Sequence, residues 1–273
     1  MNTLSDSEFE LFRNHIKSRY GINLSNEKRS LIYSRLRGII EKLNLNNYKD
    51  YYNLLIKDKD GNLTKEFIDK ITTNHTFFMR EKEHFDYLSK TVLPLIEERH
   101  RSNKDIRLWC AGCSSGEEAY ILQMILQEYF ENKPGWNTEI LATDISNTVL
   151  NKAYRGVYSN EAINELPPNW RKKYFNEYDS KNMVANDNLK KNITYTRFNF
   201  IEDKFNFKKP FQIIFCRNVM IYFDTNTRST LVGKFYAASE FGGYLFIGQS
   251  ESLGNTDVKY KYTMPAVYVK ESK

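Results

Sequence analysis

The sequence predicts an all-α N-terminal domain followed by an α/β domain built on a parallel sheet, with a small antiparallel β subdomain inserted in it. Three observations carry that prediction. Over residues 4–71 apolar residues recur at spacings of three and four, and no alternating run interrupts them. From Asp105 onward the pattern changes to apolar strand, glycine turn and helix. Between the two lies TTNHTFFMRE (72–81), a polar and aromatic connector. A chain of 273 residues is long enough for two domains, because single cores stop growing near that size. The expected boundaries are 1–72 for the helical domain, 73–90 for linker and connecting helix, and 91–273 for the α/β domain.

In the first domain LSDSEFELFRNHIKSRYG, NEKRSLIYSRLRGIIEKL, YKDYYNLLI and LTKEFIDKIT each read as an amphipathic helix. Ser25 or Asn26 is a candidate cap, Gly21 a stop signal, and Asp60-Gly61-Asn62 a turn. The connector runs into a helix through HFDYLSKTVLPLIEERH. DIRLWCAG, SSGEEAYILQMILQEYF and TEILATDIS then form strand, helix and strand, which is a βαβ unit with a right-handed crossover. The irregular stretch that follows, with Pro167-Pro168 and ITYTRFNF, predicts an excursion with a short antiparallel ribbon at about 170–200. FQIIFCRN is the next strand and DTNTRSTLVGKFYAASEF its helix. GGYLFIGQSES and KYKYTMPAVYVK read as a closing antiparallel pair.

Composition narrows the function classes. The charge of +6 favours an acidic partner mildly and is too small to imply nucleic acid. Neither a signal-peptide pattern nor a run of 18 apolar residues occurs, so a cytoplasmic location without membrane insertion is expected. There the three cysteines, Cys110, Cys113 and Cys216, should stay reduced. The C-x-x-C ends a strand instead of opening a helix, which disfavours thioredoxin-like chemistry, and no second Cys or His pair completes a zinc site.

Three strand ends carry the polar residues. After the first strand, Gly112-x-x-x-Gly116 opens a helix and fits a nucleotide loop, but Glu117-Glu118 would repel a pyrophosphate and tolerate a cationic ligand. Ser114-x-x-Glu117 and Ser115-x-x-Glu118 match capping boxes equally well, so the loop alone leaves both readings open. Asp144 ends the second strand, where a carboxylate either accepts ribose hydroxyls or caps the next helix. CRNVMIYFD ends the third, and Arg217, Asn218 and Tyr222 can face the same crevice.

TTNHTFFMRE, LWCAGCSSGEEAY, ATDIS and FQIIFCRNVMIYFD, with GGYLFIGQSES as a looser fifth block, resemble the CheR family of chemotaxis receptor methyltransferases. The resemblance implies a Rossmann-like class I methyltransferase domain that transfers a methyl group from S-adenosylmethionine to glutamate carboxylates of chemoreceptor cytoplasmic helices, leaving S-adenosylhomocysteine. By motif position it implies cofactor contacts at Asn74, Thr76, Arg80, Ala111, Glu117, Asp144, Asn199, Phe200, Arg217 and Asn218, and catalytic roles for Arg80 and Tyr222. No metal is implied.

The acceptor carboxylate has an ordinary pKa near 4.3 and needs no base, so alignment is what the protein must supply. The basic helix carrying Lys28, Arg29, Arg35 and Arg37 becomes the expected docking face for the receptor, and the enzyme is expected to act as a monomer. Two blocks depart from the family pattern, at Met79 and Gln249. Residues 178–199 hold no glycine, so a receptor pentapeptide tether is not expected to bind. A non-catalytic cofactor-sensing module, or a methyltransferase with another acceptor, is the alternative.

Overall fold

The computed structural model describes residues 3–254 and 256–271. Helices α1 (Asp6–Tyr20), α2 (Arg29–Lys42), α3 (Tyr48–Leu55) and α4 (Asn62–Ile71) form the first unit. Ser5 and Glu8 close a capping box on α1, satisfying backbone N–H groups that helix geometry leaves open. Gly21 ends α1 at φ 72°, in the left-handed region that glycine enters without a Cβ clash. The stripes of these helices meet in a core where Phe12, Ile16, Leu36, Tyr51 and Phe67 are fully buried. Phe12 lies within 6.1 Å of the Tyr51 and Phe67 ring centroids, so Phe12→Ala should cost about 3–5 kcal/mol.

Beyond the connector, α5 (Lys82–Tyr87), one wide turn (Leu88–Val92) and α6 (Leu93–Arg99) make one continuous helical run. The widening falls where Pro94 has no N–H to donate to the preceding turn. The α/β unit continues as β1 (Asp105–Ala111), α7 (Glu117–Phe130), β2 (Asn137–Asp144), α8 (Asn147–Arg155) and β3 (Val157–Ser159). There follow α9 (Asn160–Ile163), α10 (Pro168–Tyr174), β4 (Phe175–Glu177), β5 (Asn182–Ala185), α11 (Asp187–Lys190) and β6 (Ile193–Arg197). The chain closes with β7 (Phe211–Cys216), α12 (Thr225–Ala238), β8 (Ser239–Ile247), β9 (Tyr260–Met264) and β10 (Val267–Lys270).

The main sheet has the order β6-β2-β1-β7-β8-β10-β9. Its first five strands are parallel, and β10 and β9 return antiparallel. All six residues of β7 are buried, as expected for a central parallel strand covered on both faces. β3, β5 and β4 form a separate antiparallel sheet.

Two expectations need correction. The small sheet spans residues 157–185 instead of about 170–200, and Ile193–Arg197 belongs to the main sheet, paired in parallel with β2. A short alternating run reads alike as ribbon or edge strand, and only long-range pairing decides between them. KYKYTMPAVYVK is two strands, β9 and β10, which turn at Ala266 with φ 62°.

Candidate active site

A cleft open to solvent lies at the carboxyl ends of β1, β2 and β7. β1 sits between β2 and β7, so the strand order reverses there, which is where open α/β sheets bind ligands. The connector and the end of α1 form the opposite wall.

The floor is the loop after β1. Gly112 and Cys113 donate their backbone N–H groups to the Thr143 carbonyl at 2.8 and 2.9 Å, locking the loop to the end of β2. Gly112 adopts φ 92°, and a Cβ there would lie 2.4 Å from Val219 Cγ2, so any larger residue would push the β7 loop away. Gly116 opens α7, and Ser115 hydrogen-bonds the Glu117 carboxylate instead of capping the helix. Neither expected capping box forms. Ser114 Oγ donates to the Asn74 carbonyl at 3.0 Å and so ties the connector to the floor.

Asp144 accepts the N–H of Ser114 at 2.9 Å on one oxygen and that of Ser146 at 3.0 Å on the other. Burial pushes its pKa up, and these backbone donors oppose the shift. The cap of α8 is Ser146 Oγ, not Asp144. Held by these backbone donors, the carboxylate lines the cleft.

At the end of β7, the buried Arg217 lies 3.1 Å from Glu118 and 3.2 Å from Glu81, with its guanidinium over Phe85. Burial pushes the Glu118 pKa up, and Arg217 opposes this. The Arg217 Nη1 contact to Glu118 is an ion pair without hydrogen-bond alignment. Asn218 is held at φ 59° and donates its side-chain amide to Glu81 at 3.2 Å. All three thiols are buried and pushed well above their usual pKa, so they pack as protonated core groups. Among the described residues no group of three or more His, Cys, Asp or Glu could hold a metal.

Of the residues expected here, Asn74, Thr76, Arg80, Asp144, Asn199, Phe200, Arg217, Asn218 and Tyr222 line the cleft. Ala111 and Glu117 do not. Ala111 is buried in the cluster around Trp109, and Glu117 is turned onto Ser115, so its neighbour Glu118 is the acid that faces the cleft. The Asn199 side chain is engaged elsewhere: Nδ2 donates to the Arg19 carbonyl at 2.9 Å and Oδ1 accepts from Ile201 at 3.0 Å. It therefore joins α1 to the chain after β6 and forms wall, with no free amide to offer. Arg80 donates to the His75 carbonyl at 3.0 Å and lies over the exposed Phe77.

The helical unit also lines the cleft. Tyr20 and Ile22 line the cleft, Asn23 N–H donates to the Tyr222 carbonyl at 2.7 Å, and Ile22 bridges Phe223. No sequence signal marked these contacts, because they are made across the two units. Arg35 reaches the Ile71 carbonyl at 2.7 Å and Thr73 Oγ1 at 3.0 Å, and Arg29 reaches the Leu4 carbonyl and Asp6. These two side chains fasten the fold. Lys28 lies over the Tyr222 ring at 5.8 Å, and Arg37 makes an exposed pair with Glu41.

Comparison with known proteins now decides the family. Residues 74–268 match the CheR methyltransferase SAM-binding domain, and residues 7–72 match the CheR all-alpha domain. The chain belongs to the CheR methyltransferase family. It is 43% identical over 259 residues to the chemotaxis protein methyltransferase of Borreliella burgdorferi, covering 93% of this chain and 91% of that protein. It is 32% identical over 269 residues to that of Escherichia coli, covering 97% and 91%. "Chemotaxis protein methyltransferase 1" of Vibrio cholerae is 34% identical, covering 93% of both chains.

The protein is thus an S-adenosylmethionine-dependent methyltransferase, and its cleft suits that cofactor. The Asp144 carboxylate suits ribose hydroxyls, and Phe198 and Phe200 give an apolar wall for a base.

Proposed function

We propose that the protein methylates glutamate carboxylates on the cytoplasmic helices of chemoreceptors, giving methyl esters during chemotactic adaptation. The observation that carries this reading is an Asp144-centred cofactor cleft with Arg80 and Tyr222 lining it. A glutamate side chain is already ionised at neutral pH, so an acceptor of that class needs no base. The names of the relatives, chemotaxis protein methyltransferases, point the same way.

The bound cofactor supplies an electrophilic methyl group on sulfur. The protein's own work is alignment, and holding an attacking oxygen in line can be worth up to about 7–11 kcal/mol. Arg80 guides the substrate carboxylate; it must not hold it tightly, since equal stabilisation of ground and transition states gains nothing in kcat. Tyr222, held by Asn23 and by a weak 3.4 Å bond from its hydroxyl to the Thr73 carbonyl, borders the path of the methyl group. Arg80→Ala should keep S-adenosylhomocysteine affinity within about threefold while turnover falls on the order of 100-fold; a matching loss of affinity would assign Arg80 to the cofactor instead.

Docking then falls to the exposed Arg37 and to Lys28, because Arg29 and Arg35 are engaged within the fold. The Arg37–Glu41 pair is exposed and exchanges readily for a receptor acid. The test is transfer of labelled methyl to a receptor cytoplasmic fragment, followed by alkali. Release of label as methanol supports glutamate esters. Alkali-stable label, or none with a folded enzyme that binds cofactor, would exclude them. Unchanged receptor methylation in Arg37→Glu would move docking to another face.

A further inference from the structure

Between β8 and β9 the chain runs through Gly248-Gln249-Ser250-Glu251, which none of the roles above uses. Glu251 Oε2 accepts the backbone N–H of Asn218 at 2.9 Å and that of Gly248 at 2.6 Å, and Oε1 accepts the N–H of Ile221 at 3.1 Å. Two of the three donors belong to the loop after β7, which carries Arg217, Asn218 and Tyr222. Glu251 itself does not line the cleft.

We propose that Glu251 is a positioning residue: its carboxylate gathers the N–H groups of the β7 loop and so sets where Asn218 and Tyr222 stand during methyl transfer. The inference rests on the methyl-transfer reading above. Gly248 is shaped for the arrangement, since a Cβ there would lie 2.4 Å from Asn218 Nδ2 and 2.9 Å from its backbone nitrogen. Asn218 sits in the left-handed region at φ 59°, which asparagine enters more readily than other residues with a Cβ. A carboxylate accepting backbone N–H groups makes the stronger, charge-assisted kind of bond. Burial pushes the Glu251 pKa up, and backbone donors at Gly248, Asn218, Ile221 and Met220 oppose the shift. Asn218 is thus held from both sides, its side chain by Glu81 and its backbone by Glu251. Glutamine fills the same volume but has one acceptor oxygen and turns two N–H groups toward donors.

The test compares Glu251→Gln and Glu251→Asp with wild type in three measurements: amide hydrogen exchange, calorimetry with S-adenosylhomocysteine, and methyl transfer to a receptor cytoplasmic fragment. In Glu251→Gln, exchange protection at Asn218 and Ile221 should be lost and kcat should fall on the order of 10- to 100-fold, with the cofactor Kd changed less than about threefold. Glu251→Asp keeps the charge and both acceptors and should recover part of kcat. Unchanged protection, wild-type kcat, or equal losses of affinity and kcat would overturn the proposal. If wild type itself transfers no methyl to the fragment, the receptor reading fails separately, and the exchange result alone decides the role of Glu251.

Discussion

One wall of the cleft is made of strand ends, and its polar groups are buried and paired inside the core: Arg217 between Glu118 and Glu81, and Asp144 on two backbone N–H groups. The facing wall is made of the α1 end and the connector, and its ties lie at the surface or half-buried: Arg35 on Ile71 and Thr73, Arg19 on Glu202, Lys17 on Asp224. Both walls line the same cavity, yet the first set of ties is less exposed to water than the second. The sheet wall is therefore set by the fold, whereas the helical wall is attached to it and can be loosened without unfolding the sheet.

The largest effect should come from breaking the sheet wall. Arg217→Leu leaves Glu118 and Glu81 without their cation and should cost about 3–5 kcal/mol in denaturant unfolding; a cost below about 1 kcal/mol would mean the cluster is not the buried anchor described here. Gly112→Ala comes next, at about 1–3 kcal/mol, since its Cβ meets Val219 in a left-handed turn. Its cofactor affinity should fall as well, because the floor and the β7 loop separate.

The helical wall should respond more mildly. Arg35→Ala removes charged donors that are partly exposed, so about 1 kcal/mol is expected, read as faster amide exchange across residues 72–76 with the sheet protected as before. Exchange spreading into β1 or β2 would contradict the separation of the two walls. The smallest effect concerns Asp224, whose carboxylate accepts the Thr227 N–H and faces Lys17, and whose pKa is pulled down to about 2. A depressed carboxylate pKa stabilises the fold above its unfolded value near 3.9, and that contribution disappears as pH falls toward 2. Asp224→Asn should therefore be less stable than wild type at pH 7, with the difference vanishing near pH 2 and shrinking in salt.

Much of the sheet wall was legible in the sequence, because strand, glycine and polar terminus are local patterns. Asp144, Arg217 and Asn218 could be located from strand ends alone. The Glu117-Glu118 doublet could not be resolved, since side chains one residue apart on a helix point about 100° apart and tertiary packing decides which one faces the ligand. Asn199 enters as a cofactor contact by motif position, and its tie to the Arg19 carbonyl, 180 residues away, is invisible to any local pattern. Arg35 looked like any solvated cation on a basic helix, and only the path of the connector turns it inward. The β6 strand was misplaced for the same reason: its register on β2 is a long-range fact.

The measurement that tests the central claim most directly is calorimetric titration of S-adenosylhomocysteine into wild type and Asp144→Ala. Binding by wild type, weakened on the order of 10- to 100-fold in a mutant that keeps its fold, is the predicted result. Equal binding by both proteins, or none by a folded wild type, would contradict the assignment of this cleft to the cofactor.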